Sequence, residues 1–313
     1  MSTAIVSAAV TTDADTGSYF ELATRAGRAA LEQAEVAPER VGLVINAGVY
    51  RDSNIAEPAV AALLQKRLEV GLEYETGRVP AFSFDLLNGG TGVLQALTVA
   101  QSFIAARDLE YVLVLAGDAH PSTQRDRADF PYTPTGAALL LRSDTEAGGF
   151  GGLHTLGTAD TARPTGWADL IGAGTDGRNA LTVRGGEGDP LAAAETVVRS
   201  ALDEERIDGT DFATGRAVLL APAPVPGFRE RLAYRLGVPS ISVAGVDPAV
   251  GDPYTAAPVH AYVNAAAEGQ LAQAGAVVFV GADDGSAACV VYRPRALERS
   301  AAASALRVKH IGV

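Results

Sequence analysis

Residues 80–106 read PAFSFDLLNGGTGVLQALTVAQSFIAA, and this stretch decides the fold. Its first part, residues 81–87, is an apolar run that is too short for a helix and rich in Phe and Leu, as buried strands are. A tight turn at residues 88–90 follows, and apolar side chains then recur at helical spacing. The stretch therefore predicts a strand that turns sharply into a buried helix, with the free N–H groups of the helix start at the bend.

Length and composition indicate a globular protein with a large core. The chain has 313 residues, of which 48% are hydrophobic, enough for one large α/β body or two half-size units. No apolar run approaches about 18 residues, and the N-terminus lacks the basic and apolar regions of a signal peptide. We therefore predict a cytoplasmic protein without a membrane span.

Charge, cysteine and histidine content disfavour several function classes. The net charge of −12 makes nucleic acid and anionic membranes poor partners. Cys289 is the only cysteine, which rules out an intramolecular disulfide, and its apolar neighbours indicate a buried hydrophobic residue. His154 and His310 lack the spacing of metal ligands, so we predict no metal site and no cofactor.

The two halves of the chain repeat one order of elements: buried strand, helix, strand, turn, Ala-rich helix, strand, short link, strand. The strands predicted from apolar runs cover residues 4–10, 41–50, 81–87, 111–117, 136–142, 217–221, 240–246, 276–281 and 287–292. The helices predicted between them cover residues 16–34, 57–70, 91–106, 190–202, 227–236 and 255–271. This repeat predicts a duplicated, layered α/β fold, with residues 148–188 as a connection made of irregular loops.

A series of short motifs in this order resembles the thiolase superfamily, and most closely its ketoacyl-ACP synthase III branch. Phe84-Asp85 is similar to the family's FD, and Gly92 to the glycine two residues after its nucleophile. Three further stretches match in order: YVLVLAGDA at 111–119, YTPTGAA at 132–138 and VGADDGSA at 280–287. The resemblance implies a duplicated thiolase fold of five α-β-α-β-α layers, with halves at residues 1–165 and 166–313. It also implies a dimer built on the strand at residues 81–87.

The same resemblance implies that the family's catalytic Cys, His and Asn are missing. Its nucleophilic cysteine falls at Gly90, and its histidine falls at Ala223 within APAPV. Its asparagine falls near Asp252 and Pro253, within GDPYTAAP. A glycine cannot be acylated, and without His and Asn an enolate has no stabilising groups. The backbone N–H of Gly90 remains as one oxyanion-hole donor, which binds a carbonyl without turning it over.

Seven residues are candidates for lining a pocket around the bend. Thr91 carries a hydroxyl without a base nearby in sequence, which favours helix capping over nucleophilic catalysis. Asp118 and His120 follow a central strand, where a structural role is favoured over a catalytic pair. Asn88 suits the turn for backbone reasons, or it points into the pocket. The complete set is Asn88, Gly89, Gly90, Thr91, Asp118, His120 and Thr255.

Two classes of function agree with these observations. In the first, the chain is a non-catalytic pseudoenzyme that pairs with an active ketosynthase and shapes its acyl pocket. In the second, it is an acyltransferase with a rebuilt site that joins an acyl-CoA or acyl-ACP donor to a non-malonyl acceptor. Both imply a thiolase-fold dimer, homodimeric or heterodimeric, an acyl carrier protein as a partner, and a pathway of fatty-acid or polyketide type.

Overall fold

The computed structural model describes residues 2–54, 60–72, 80–107, 109–144, 148–157, 165–168 and 180–294. Its strands are β1 (Ser2–Thr11), β2 (Val41–Asn46), β3 (Phe82–Asp85), β4 (Tyr111–Ala116), β5 (Gly136–Asp144), β6 (Gly149–Gly157), β7 (Thr165–Trp167), β8 (Thr182–Arg184), β9 (Ala217–Ala221), β10 (Val243–Gly245), β11 (Ala276–Asp283) and β12 (Ser286–Arg293). Its helices are α1 (Tyr19–Gln33), α2 (Val60–Arg67), α3 (Gly92–Arg107), α4 (Pro190–Glu205), α5 (Gly209–Ala213), α6 (Phe228–Leu236) and α7 (Ala257–Ala267).

Two five-stranded sheets share one topology. The first has the order β1-β5-β4-β2-β3, and the second, read from its β6 edge, has the order β6-β12-β11-β9-β10. In both sheets the first three strands run antiparallel to one another and the last three run parallel. Strands β4 and β11 therefore hold equivalent central places. This repeat confirms the predicted duplicated fold.

The core is divided by the two sheets into three apolar clusters. One cluster combines α3 and α7 with the facing sides of both sheets. A second packs α1 and α2 on the outer side of the first sheet, and a third packs α4, α5 and α6 on the outer side of the second. Alternating residues of β2 show the division, since Leu43 and Ile45 face inward while Val44 faces outward. The layers are therefore α-β-α-β-α, as predicted.

Capping side chains mark the starts of α1 and α4. The hydroxyl of Ser18 accepts the N–H of Glu21 at 3.2 Å, so α1 begins at Tyr19 and not at residue 16. The carboxylate of Asp189 accepts two N–H groups at the start of α4. None of the described helices is long and apolar enough to cross a membrane.

Three predictions about elements require correction. The strand predicted as buried at residues 81–87 is the edge strand β3, with Phe82 54% exposed. Residues 240–246 hold a 3₁₀ turn followed by only three strand residues, β10. The stretch predicted as irregular at 148–188 contains β6, which pairs with β12. The first sheet thus ends in the chain at Asp144 and the second begins at Gly149, while the halves at residues 1–165 and 166–313 stay a prediction. The first residues of the helix predicted at 57–70 lie outside the described residues.

Candidate functional site

The bend between β3 and α3, which we call the elbow and define as residues 88–91, is held by its own side chains. Gly89 has φ +53°, a conformation that favours glycine. The hydroxyl of Thr91 donates to the carbonyl of Asn88 at 2.9 Å, and the amide of Asn88 donates to Thr91 Oγ1 at 3.0 Å. Thr91 is almost fully buried, and both of these contacts stay within the elbow. These bonds stabilise the turn, but they join Thr91 to a carbonyl and a side-chain amide and not to a backbone N–H, as a helix cap would.

The elbow is in backbone contact with the end of β11. A Cβ atom added to Gly90 would stand 2.8 Å from the carbonyl oxygen of Ala282, too close for any real side chain. In the opposite direction, a Cβ atom added to Gly281 would collide with the carbonyl oxygen of Gly90. Because both obstacles are main-chain atoms, no rotamer change relieves them. A side chain at the position that the resemblance assigns to a nucleophile would therefore require the main chain to shift.

The backbone N–H of Gly90 already donates a hydrogen bond to a carboxylate. Asp283, the last residue of β11, accepts this N–H through Oδ2 at 3.0 Å. Its Oδ1 accepts the N–H of Gly285 at 2.9 Å and the hydroxyl of Ser286 at 3.1 Å. The start of α3 carries partial positive charge, which favours an anion at this place. The chain thus supplies its own acceptor for the donor predicted to serve an oxyanion.

A second carboxylate, that of Asp118, binds the segment before α7. Its Oδ2 accepts the N–H and the hydroxyl of Thr255 at 3.1 and 2.6 Å. Its Oδ1 accepts the N–H groups of Val49 and Tyr50 at 3.1 and 2.9 Å. Burial raises the pKa of Asp118 to about 7, and the bonds from Thr255 and the backbone oppose the rise. Asp118 thus binds three backbone N–H groups and one threonine hydroxyl, and these bonds hold two loops together.

His120 lies near Asp118 in sequence and has different partners. Its Nδ1 is 2.7 Å from the hydroxyl of Ser122, and its ring meets the ring of Phe130 edge-on. Its Nε2 has no hydrogen-bond partner among the described residues, and burial lowers the pKa of the imidazole. The hydrogen bonds of the described residues do not join His120 to Asp118. The geometry therefore supports a structural role for each.

Four aromatic rings, which we call the aromatic cluster, fill the space between the elbow and the segment before α7. Tyr254 stacks on Tyr132 with ring centroids 4.0 Å apart, and both stack on Tyr50, with Phe130 edge-on. Tyr254 adopts φ +44°, an uncommon value for a residue with a side chain. Burial raises the pKa of Tyr254 and Tyr132, and that of Tyr50 to about 12, so these phenols stay neutral near pH 7.

The residues at the predicted His and Asn positions are Ala223, Asp252 and Pro253, and Asp252 accepts hydrogen bonds from backbone N–H groups. Asp252 accepts the N–H of Tyr254 through Oδ1 at 2.9 Å, and its carbonyl accepts the N–H of Thr133 at 2.7 Å. Pro253 precedes the 3₁₀ turn that leads into α7. Ala223 is exposed in the turn after β9. The ring that enters the site from this segment belongs to Tyr254, one residue beyond Pro253.

A cavity of about 270 Å³ opens beside the start of α3. Three predicted candidates line it: Asn88, Gly89 and Thr91. Gly90, Asp118, His120 and Thr255 do not line it. The hydroxyl of Tyr254 and Oδ2 of Asp283 also line this cavity and converge on one side of Gly89, 2.6 and 2.5 Å from where its Cβ would stand.

Sequence reasoning missed Tyr254 and Asp283. Asp283 stands before Asp284-Gly285, and an Asp that closes a strand before a Gly-containing turn commonly binds nearby backbone N–H groups. That signal predicts its bond to Gly285. Its bond to Gly90 has no local signal because the two residues are 193 positions apart.

Curated relatives of this chain include a 3-oxopimeloyl-[acyl-carrier-protein] synthase and several β-ketoacyl-[acyl-carrier-protein] synthases III. A 3-oxopimeloyl-[acyl-carrier-protein] synthase of Rhodothermus marinus is 35% identical over 134 residues, 41% of this chain and 35% of that protein. A β-ketoacyl-[acyl-carrier-protein] synthase III of an Enterobacter species is 29% identical over 192 residues, 57% of each protein. The matched stretch thus spans about a third to three fifths of these relatives' length. No protein-family model matches the chain.

Solved structures extend the likeness over almost the whole chain. The 3-oxoacyl-(acyl carrier protein) synthase III of Pseudomonas aeruginosa superposes with a TM-score of 0.78 at 20% identity, over 94% of this chain and 99% of that one. At this level of identity the likeness establishes the fold. The chain has the thiolase-like fold of the ketoacyl-ACP synthase III condensing enzymes, as its motifs indicated.

Proposed function

We propose that this chain is a ketoacyl-ACP synthase III-like protein of fatty-acid or polyketide-type secondary metabolism. In such a pathway, we propose, the chain is a non-catalytic partner subunit that shapes the acyl pocket of an active condensing enzyme. The reaction class is supported by the names of its relatives and by the fold. The absence of chemistry is supported by the geometry at the elbow.

The contact between Gly90 and β11 carries the proposal. A nucleophile at this position would need space for a side chain and a free N–H for the developing oxyanion. The carbonyl of Ala282 takes the space, and the carboxylate of Asp283 takes the N–H. Both parts of the acylation machinery are thus replaced by the protein's own atoms, which is a stronger obstacle than a missing cysteine alone.

The aromatic cluster supports the same role. Decarboxylative condensation needs donors that stabilise an enolate facing the nucleophile. Here the segment that the resemblance assigns to the asparagine brings in the neutral phenol of Tyr254 instead, stacked on Tyr132. The carboxylate nearest its hydroxyl, that of Asp283, already accepts three hydrogen bonds, so we assign this ring the role of filling volume and fixing the shape of the site.

Pairing is supported by the open edge of the first sheet. Among the described strands, β3 has a neighbour, β2, on one side only. Phe82 is 54% exposed and Leu87 47% exposed, and the ring of Phe82 contacts those of Phe84 and Phe103. An exposed apolar strand edge is a hazard for aggregation that proteins normally cover. We propose that a second thiolase-fold subunit, either a copy of this chain or an active ketosynthase, covers it.

The cavity beside α3 favours one alternative, an acyltransferase with a rebuilt site. Asp283 and the Tyr254 hydroxyl converge there, and 270 Å³ accommodates a small acceptor molecule. In that case an acyl-CoA or acyl-ACP donor would react directly with the bound acceptor. Turnover of a donor without any acyl-protein intermediate would distinguish this alternative from the partner role.

Intact-protein mass spectrometry tests the loss of chemistry. After incubation with a panel of acyl-CoA and acyl-ACP donors, we expect the mass of the chain to stay unchanged, because Gly90 offers no nucleophile. Cys289→Ala is the matched control, since Cys289 is the only thiol, is fully buried, and has a pKa raised by that burial. An adduct that persists in Cys289→Ala contradicts the proposal.

Light scattering after size-exclusion chromatography tests the pairing. The chain, alone or co-expressed with a ketosynthase that has Cys, His and Asn, should elute as a dimer. Phe82→Asp places a charge on the β3 edge and should release the monomer. Ile241→Asp is the control, because Ile241 is 84% exposed beside β10, away from that edge. A monomer in every mixture before any substitution argues against a partner subunit.

A further inference from the structure

The cavity beside α3 contains one charged side chain, and that side chain is an acid. Asp283 is 8% exposed and borders the cavity. The remaining described lining is neutral, with Asn88, Thr91 and Tyr254 among it and without Lys, Arg or His. A ligand in this cavity therefore meets a buried negative charge, and no cation stands beside that charge in the described lining.

Asp283 retains the capacity to bind one further donor. A carboxylate offers about four lone-pair sites. Three of them are used by the N–H groups of Gly90 and Gly285 and by the hydroxyl of Ser286. The Tyr254 hydroxyl, on the same side of Gly89 as Oδ2, adds a group at the same place that can accept or donate a hydrogen bond.

We propose that Asp283 makes this cavity a site for a small neutral or cationic group that donates hydrogen bonds, such as a primary ammonium, and closes it to carboxylates and acyl oxyanions. The inference rests on the proposed function in one respect, namely that position 90 performs no acyl chemistry. It goes further by stating what the cavity binds instead.

Two physical effects oppose an anion here. The N–H of Gly90, which an acyl oxygen would need, is already bound to Asp283. A second negative charge beside a buried carboxylate is repelled with little screening, because the protein interior has a lower dielectric constant than water. An ammonium is attracted by the Asp283 carboxylate instead of repelled, and it does not need the N–H of Gly90.

Titration with two probes of equal size and opposite charge, propylammonium and propionate, tests the proposal. NMR spectra of the full-length protein at constant ionic strength give both affinities, and shifts at the elbow and at residues 283–286 locate the site. We expect propylammonium to bind at least tenfold more tightly than propionate. Equal affinities, or a preference for propionate, would overturn the inference.

Two neighbouring carboxylates provide the variant and its control. Asp283→Asn keeps the shape of the side chain and removes its charge, so the tenfold preference should disappear. Asp284→Asn removes the same charge one residue away, where Oδ2 accepts the N–H of Gly186, and should keep the preference. Equal losses in both variants would assign the effect to net charge and overturn the site.

The outcomes are independent of the acylation experiment. If Asp283→Asn does not fold, the comparison of the two probes on the unmodified protein, with Asp284→Asn as control, still decides the question. An acylated protein that prefers propylammonium would contradict the non-catalytic role alone. An inert protein that prefers propionate would contradict the ligand class alone.

Discussion

The central helix begins in the same way in both halves of the molecule, but the surroundings of the carboxylate bound at its start differ. Helix α3 follows the 3₁₀ turn Gly89–Thr91, and α7 follows the 3₁₀ turn Tyr254–Ala256. Each turn binds a carboxylate from the opposite half, at the end of an equivalent central strand. Asp283, at the end of β11, binds the N–H of Gly90, and Asp118, just after β4, binds the N–H of Thr255.

The difference lies in what surrounds each carboxylate. Asp118 is fully buried behind the aromatic cluster, where four donors bind it. Asp283 has three donors and borders the cavity. Each half thus contributes a carboxylate that binds the turn before the central helix of the other half, and we call these two the crossed contacts. The contact of Asp118 is buried and structural, whereas we propose that the contact of Asp283 also decides what the cavity can bind. Three experiments examine this contrast.

The largest effect should come from Asp118→Ala. It leaves the N–H groups of Val49, Tyr50 and Thr255 and the Thr255 hydroxyl buried without their acceptor, at a cost of about 4 kcal/mol in the free energy of unfolding. Asp283→Ala should cost only about 1–2 kcal/mol, because two of its three donors, Gly285 and Ser286, line the cavity, where water can replace the carboxylate. Urea unfolding at fixed protein concentration measures both. Equal losses would remove the distinction between a sealed and an open contact.

A smaller effect is expected from Gly90→Ala. The added methyl group forces the main chain of Ala282 away from the elbow, which should cost about 2–3 kcal/mol. Gly92→Ala, two residues along, is the matched control because its Cβ would lie 3.5 Å from the nearest atom. There alanine should be neutral or stabilise α3 by up to about 1 kcal/mol. Thermal unfolding of both variants gives the comparison, and a stable Gly90→Ala protein would mean that the slot is open.

Counted per pH unit, the smallest effect is the dependence of stability on pH. Because burial raises the pKa of Asp118 from 3.8 to about 7, the folded protein holds a proton that the unfolded chain has lost between these values. The contribution of Asp118 to stability is complete below pH 4 and declines as the pH rises to 7, by at most about 1.4 kcal/mol per pH unit. Asp118→Asn lacks this decline. If the free energy of unfolding of both proteins changes with pH in the same way between pH 4 and 7, the raised pKa of Asp118 is contradicted.

Local patterns predicted most of the fold. The strand predicted at 217–221 is β9 to the residue, because an apolar run between turns marks a buried strand. The nine residues of β6, GFGGLHTLG, lack both alternation and a continuous apolar run, so only their pairing with β12 makes them a strand. The edge position of β3 likewise depends on strand order, which an apolar run does not specify.

The site was predictable only where its contacts are local. The elbow and its glycines follow from the turn at residues 88–90, and three of the seven pocket candidates do line the cavity. Asp283 and Tyr254 reach the elbow from far along the chain, through the packing of two sheets. No period or spacing in the sequence encodes that approach.

The crossed contacts also set an order of assembly during synthesis. Gly90 and Asp283 are 193 residues apart, and Asp118 and Thr255 are 137 apart. When the first sheet leaves the ribosome, its elbow has no acceptor for the Gly90 N–H, and Asp118 carries its charge without Thr255. Contacts this distant in sequence form late, since long loops must close first. The elbow, which belongs to the half that is made first, is therefore completed only after β11 has been made.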